Sequence, residues 1–272
     1  MDWIQIVILG VVQGITEFLP ISSSGHLVVV GSLFEWWQDQ PLPDVVEVNI
    51  LLHAGTLAAI LAFYWRQIAR LLTHDRRVIW LLVVGTLPAV VVGLPLKYYC
   101  KPLLESPLLA GLLLPITGLL LIWSARRSEG ELDYVNITAR QALVVGLFQA
   151  CALLPGLSRS GFTIVGSLLT GMRRESAATF SFLLAIPAIG GATVLEAKDL
   201  LTEQTGSTPY SILALGMAVS FAVGLVSLWW LVRWLTGGKL YLFAYWCIPL
   251  GIGVVIWQLP RFLEQIGRES WF

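Results

Sequence analysis

The chain has 272 residues, 57% of them hydrophobic and 12% charged, with a mean hydropathy of +0.78. Soluble domains carry about 25% charged residues, so half that charge cannot clothe a water-facing surface of this size and a soluble enzyme is excluded. Seventeen basic and seventeen acidic residues cancel, which leaves no electrostatic footprint for nucleic acid. Three cysteines, Cys100, Cys151 and Cys247, lack metal-ligand or disulfide-framework spacing. Asp2 stands where a secretory leader would be basic, so no cleaved targeting segment is expected. The composition predicts an all-α, multi-pass integral membrane protein forming a single domain over 1–272.

A spanning helix needs about 20 mostly apolar residues. In chain order the sequence first offers two stretches too short to cross, 4–12 and 27–34. Between them lie a Leu-Pro break and the cluster SSSG. Three spans follow, at 48–65, 78–96 and 107–124. A second short pair, 142–154 and 162–169, is joined by another Leu-Pro break and SRSG. Spans at 177–195, 212–232 and 240–259 complete the chain. Each short pair predicts a re-entrant helical hairpin, since broken backbone at membrane depth survives only where protein or a water-filled cavity satisfies it.

The two broken regions also resemble each other. QGITEFLPISSSGH and QACALLPGLSRSGF place Gln13 and Gln149, Ser22 and Ser158, Ser24 and Ser160, and Gly25 and Gly161 each 136 residues apart, half the chain length. The halves are therefore about 1–136 and 137–272, each with one hairpin and three spans. Three is odd, so the second half runs opposite to the first, as in inverted-topology transporter folds. Loop charges orient the whole. Arg66, Arg70, Arg76, Arg77, Arg126, Arg127, Arg140, Arg173, Arg174, Arg233 and Lys239 fall on one side, and Lys97, Lys101, Lys198, Arg261 and Arg268 on the other. The richer side is expected in the cytoplasm. The two hairpin tips then meet near the midplane.

Charged groups inside a bilayer are costly and mark sites. Glu17 sits in the first break, His26 just after it and Arg159 in the second. Arg159 is the one basic residue that no flanking loop accommodates. His53, near the start of a span, is read as a hydrogen-bonded helix histidine. The second arm of each hairpin begins at its Ser/Gly turn, so unpaired N–H groups and the positive dipole end face the meeting point, a geometry that binds phosphate. Gly25 and Gly161 allow close backbone approach. Ser22, Ser23, Ser24, Ser158, Ser160 and Thr163 add hydroxyls, and Arg159 a fork suited to bidentate phosphate contact. Glu17 would repel phosphate unless a divalent cation bridges them or the carboxylate handles protons. Histidine beside serine suits a general base or a nucleophile. The constellation fits phosphoryl transfer on a lipid-linked phosphate; spacing alone leaves open a lipid-phosphate transporter or flippase on the same scaffold.

The motifs QGITEFLPISSSGH at 13–26 and LPGLSRSGFT at 154–163 resemble the two signatures of the bacterial undecaprenyl-diphosphate phosphatase (bacitracin-resistance) family. EVNILLHAGTLAAILAFYWR at 47–66 and ESAATFSFLLAIP at 175–187 are similar to it as well. The resemblance implies removal of the terminal phosphate of undecaprenyl diphosphate in the bacterial inner membrane, at a site open to the periplasm. It also implies dependence on Mg²⁺ or Ca²⁺. Residues matching the family's functional positions are Glu17, Ser22, Ser23, His26, Ser158, Arg159, Ser160 and Thr163. Many members have a second glutamate where this chain has Gln13, which still ligates a metal or donates a hydrogen bond but cannot act as a base. The expected scheme has Arg159 and the hairpin N-termini clamping the diphosphate, Glu17 with Gln13 holding the cation, and Ser23 attacking phosphorus with His26 relaying the proton. His26 or water is the rival nucleophile. The tryptophans, among them Trp36, Trp37, Trp229 and Trp230, are read as interfacial anchors. Gly190, Gly191 and Gly216 permit close helix packing, compatible with a homodimer.

Overall fold

The structure, a computed structural model, describes residues 2–38, 45–127, 129–203 and 208–269. Among the described residues twelve α-helices follow one another: α1 Trp3–Thr16, α2 Ser23–Gln38, α3 Val45–Phe63, α4 Trp65–Thr73, α5 Arg76–Tyr99, α6 Lys101–Leu104, α7 Pro107–Ala125, α8 Ala139–Cys151, α9 Arg159–Leu169, α10 Arg174–Glu203, α11 Tyr210–Thr236 and α12 Ala244–Glu269. Among the described residues there is no strand, only one isolated bridge between Leu132 and Met172. Among the described residues, helices α5, α7, α10, α11 and α12 are long and apolar enough to cross a membrane, and the bent pair α3–α4 makes a sixth if taken as one span. Five of the six spans expected from hydropathy are thus single helices, and the first is the bent pair.

One departure concerns the end of the first span. The chain bends by 70° between α3 and α4. Arg66 and Arg70 fall on the same side of α4 while Leu71 is buried in the core. Two guanidinium groups cannot follow a span into hydrocarbon, so the helix turns aside while its apolar side keeps contact with the protein.

Small residues decide how closely the helices approach. Gly216, Ser220 and Gly224 recur every four residues along α11, a small-xxx-small stripe. Ile6, Gly10 and Gly14 of α1 press against it, as do Leu52 and Gly55 of α3. Ser220 Oγ donates to the Leu52 carbonyl at 2.7 Å. Gly216 thus makes the close helix packing expected of it, inside the chain, whereas the space beside Gly191 is open. A side chain at Gly55 would overlap the Met217 carbonyl and Ser220 Oγ. Gly55→Val is expected to destabilise by about 1–3 kcal/mol, read as a lower thermal midpoint in detergent.

The ends of the elements also sort. Arg77 donates to the Val135 and Ile137 carbonyls (3.2 and 2.7 Å), Arg173 pairs with Asp133 at 2.5 Å and Arg174 with Glu129 at 3.2 Å. Gln141, early in α8, donates to the Thr170 carbonyl just past α9 at 2.8 Å. The start of α5, the 129–138 loop, both ends of the α8–α9 pair and the start of α10 thus share one end of the molecule. Burial, with the carboxylates of Asp75 and Asp133 beside it, pushes the Tyr134 phenol up in this loop. Trp36 at the end of α2 and Trp257 of α12 both face the Arg261 guanidinium, at 5.5 and 4.9 Å.

Candidate active site

Two helix–break–helix units build the site. Helix α1 starts on a capping box, with Asp2 accepting from the Gln5 N–H and Gln5 from the Asp2 N–H. It stops at Thr16, and the break that follows is buried rather than solvated: Phe18, Leu19 and Ile21 lie in the main core, with Phe18 edge-on to Phe182 of α10. Ser22 takes φ +73°, a conformation rare outside glycine. Its Oγ accepts from the Gly25 N–H (3.3 Å) and, across the interface, from the Gly156 N–H (3.1 Å). Helix α8 starts on its own capping box at Thr138 and Gln141, and the second break carries Gly156 at φ +93°. Ser158 caps α9 by accepting from the Gly161 N–H at 3.2 Å.

The breaks are interlocked. Ser160 Oγ donates to the Leu19 carbonyl at 3.2 Å, and a Cβ at Gly25 would strike the Gly156 backbone. Thr117 of α7 holds the second break in place: its hydroxyl donates to the Gly156 carbonyl (2.8 Å) and accepts from the Ser158 N–H (3.1 Å).

At this crossing Glu17 meets Arg159. Arg159 occupies the first turn of α9, where a cation opposes the helix dipole, so it needs an anion beside it. Its Nη2 donates to Glu17 Oε1 at 2.5 Å. The other carboxylate oxygen accepts from Ser23 Oγ at 2.5 Å and from Gln13 Nε2 at 3.2 Å, with His53 Nε2 3.9 Å away. Among the described residues two polar atoms here are buried without a hydrogen-bond partner, Arg159 Nη1 and Gln13 Oε1. They are one donor and one acceptor beside a single carboxylate.

The expected site residues divide by position. Glu17, Ser23, Gln13 and Arg159 converge directly. Ser23 is partly accessible and Ser24 exposed, whereas Ser22, Ser158, Ser160 and Thr163 are buried. The buried hydroxyls bond within the protein. Ser158 meets Ser160 at 3.2 Å, and Thr163 donates to the Arg159 carbonyl at 2.8 Å and meets Ser181 of α10 at 2.5 Å. Among the described residues no three His, Cys, Asp or Glu side chains gather as a metal cluster.

The profile of the bacitracin resistance protein BacA family matches residues 6–253. A protein of Rhodopirellula baltica named undecaprenyl-diphosphatase is 53% identical over 95% of this chain and 99% of its own length. Proteins of the same name from Desulfatibacillum aliphaticivorans and Methanosphaera stadtmanae are 40% and 36% identical, each over 94% of this chain and 99% and 98% of their own. The chain belongs to the BacA family. Within that frame, two contacts escaped the sequence. His53 makes the helix bond expected of it, Nδ1 to the Asn49 carbonyl at 2.8 Å, and also faces Glu17. Ser23, whose proton His26 is expected to relay, bonds to Glu17. The His26 ring spans from the Ser22 carbonyl (2.7 Å) to the indole N–H of Trp246 (2.8 Å). No sequence signal separates Trp246 from the other eleven tryptophans, whereas the BacA-like stretch around His53 marks it as a candidate.

Proposed function

We propose that this protein hydrolyses undecaprenyl diphosphate to undecaprenyl phosphate and inorganic phosphate. The observation that carries the reading is Glu17, held between Ser23 and Arg159 where the two breaks cross, in a chain similar end to end to proteins named for that hydrolysis. Their name favours hydrolysis over a carrier.

Arg159 Nη1, a buried donor with nothing to bond, grips the diphosphate, and the N-terminus of α2 supplies positive potential beside it. Ser23 Oγ attacks the terminal phosphorus as its proton passes to Glu17 Oε2. The bond from that phosphorus to the bridging oxygen breaks, and undecaprenyl phosphate leaves. Water then attacks the phosphoserine, the bond from Ser23 Oγ to phosphorus breaks as Glu17 returns the proton to that oxygen, and inorganic phosphate leaves with the water's oxygen and protons. His26, one turn further along α2, has its Nε2 on the indole N–H of Trp246. Positioning and charge neutralisation dominate such transfers.

A divalent cation, Mg²⁺ or Ca²⁺, fits the donors present. Gln13 Oε1 is an orphaned hard oxygen, and Glu17 and Ser23 add two more. One carboxylate plus substrate phosphates is a usual way of holding Mg²⁺. When bound, the cation neutralises phosphate charge.

We further propose that the protein lies in the bacterial inner membrane as an inverted repeat with two re-entrant hairpins, its site open to the periplasm. Support comes from α8 and α9 beginning and ending at the Arg-rich end, and from α2 ending beside Arg261 at the other. Phosphate release from a C55 diphosphate in detergent tests the activity. Rapid quenching with substrate labelled in the terminal phosphate is expected to leave label on Ser23. Release at the wild-type rate by Ser23→Ala would overturn the nucleophile.

A further inference from the structure

His26 Nδ1 lies 2.7 Å from the Ser22 carbonyl oxygen, which only accepts, so Nδ1 carries the imidazole proton. Nε2 is then a lone pair, and the Trp246 indole N–H donates to it at 2.8 Å. An indole nitrogen only donates, so this bond exists only while Nε2 is unprotonated and otherwise unengaged. The two rings are nearly parallel, 11° apart with centroids at 6.2 Å. His26 is 7% exposed and Trp246 54%. The indole is therefore the outer cover of the imidazole. The other exposed large side chains of α12 up to Leu259, namely Tyr245, Ile252, Ile256 and Leu259, are all apolar or aromatic.

Every use of His26 on a phosphate conflicts with that bond. As a base it needs the lone pair that the indole holds. As an acid or a cation it presents an Nε2–H to another N–H. Nδ1 offers no way round, because the Ser22 carbonyl occupies it. We propose that Trp246 is a positioning residue that latches His26. At rest it holds Nε2 on the indole, and the polyprenyl chain of an arriving diphosphate, seated along exposed α12, moves the indole aside and frees the Nε2 lone pair as a base for the water that attacks the phosphoserine. This rests on the phosphatase reading of the site. The latch makes catalysis depend on the lipid tail as well as the head group, because a short diphosphate binds with the indole still closed.

Trp246→Phe keeps an aromatic cover and deletes the N–H. One neutral hydrogen bond corresponds to roughly a three- to tenfold effect. The ratio of kcat/KM for a C55 over a C15 prenyl diphosphate is expected to fall by about that factor, through a gain on the C15 substrate. Trp246→Tyr, whose hydroxyl restores a donor, is expected to recover part of the ratio. In ¹⁵N-tryptophan protein the indole resonance missing from Trp246→Phe is expected to shift on adding a non-hydrolysable C55 bisphosphonate. It is expected to move in the direction it moves in His26→Ala. An unchanged chain-length ratio overturns the latch, as does an indole resonance that ignores both the bisphosphonate and His26→Ala. Loss of activity on both substrates to the level of His26→Ala makes Trp246 a requirement rather than a restraint and overturns it too. If the wild-type protein releases no phosphate at all, the phosphatase reading fails, and the indole resonance still decides the latch.

Discussion

Replacing Arg159 with alanine is expected to lower phosphate release by at least about 10³-fold, the upper range for loss of one preorganised donor to a charged transition state. The size follows from where the guanidinium stands. One nitrogen holds Glu17 and the other is buried with no partner, so a single side chain ties the carboxylate to the incoming phosphate. The substitution also leaves Glu17, whose side chain is 5% exposed, without its counter-charge. Removing one partner of a buried pair costs about 3–5 kcal/mol, and thermal unfolding in detergent is expected to register it. Catalysis and stability separate in the double variant. Glu17→Gln added to Arg159→Ala removes the stranded charge and is expected to recover much of the midpoint while activity stays lost. Arg159→Lys keeps the charge but loses the fork, and a compact ammonium cannot serve Glu17 and a phosphate in the same geometry. It is expected to retain stability while losing about 10²-fold in rate. Wild-type turnover by Arg159→Ala would remove this residue from the chemistry.

Lipid makes the architecture readable. A helix surrounded by hydrocarbon must be apolar along its whole length, so α5, α7, α10, α11 and α12 stand out by hydropathy alone. Glu17 and Arg159 stand out for the same reason inverted, as charges where none should be. That they touch was readable only jointly, from the half-length spacing that sets both breaks at tips facing each other. What packing decides was hidden. His53 reaches Glu17 because α1 and α3 share the small-residue stripe of α11, and a stripe of Gly216, Ser220 and Gly224 reads equally well as a face for a second copy. Thr117 is an ordinary threonine until Gly156 arrives beside it. The bend at Tyr64 lay at the edge of a hydrophobic run, where a charged helix and a loop have similar composition. Trp246 bears on His26 from 220 positions away, a contact that no local pattern encodes.

Glu17→Gln is expected to split binding from turnover. An amide has nearly the shape of the carboxylate and still accepts from Ser23 through its oxygen, while its NH2 then faces Arg159, so the local geometry is kept at some cost in stability. The amide cannot take the Ser23 proton. Loss of a positioned general base costs about 10²–10⁴-fold, and kcat is expected to fall within that range. Affinity moves the other way. In the wild-type protein a diphosphate must compete with Glu17 for Arg159, whose Nη2 the carboxylate holds at 2.5 Å. With its oxygen on Ser23 the amide turns a donor toward the guanidinium and no longer competes for it, so the non-hydrolysable C55 bisphosphonate is expected to bind Glu17→Gln more tightly than wild type. Steady-state kinetics and binding of that analogue in detergent measure the two halves. Glu17→Asp sharpens the test, because it keeps the charge and withdraws it by one methylene. It still neutralises Arg159 yet no longer reaches Ser23, and is expected to lose rate without gaining affinity. Weaker binding by Glu17→Gln together with lost turnover would instead make Glu17 an anchor for the substrate through a bridging cation, with the proton of Ser23 going elsewhere.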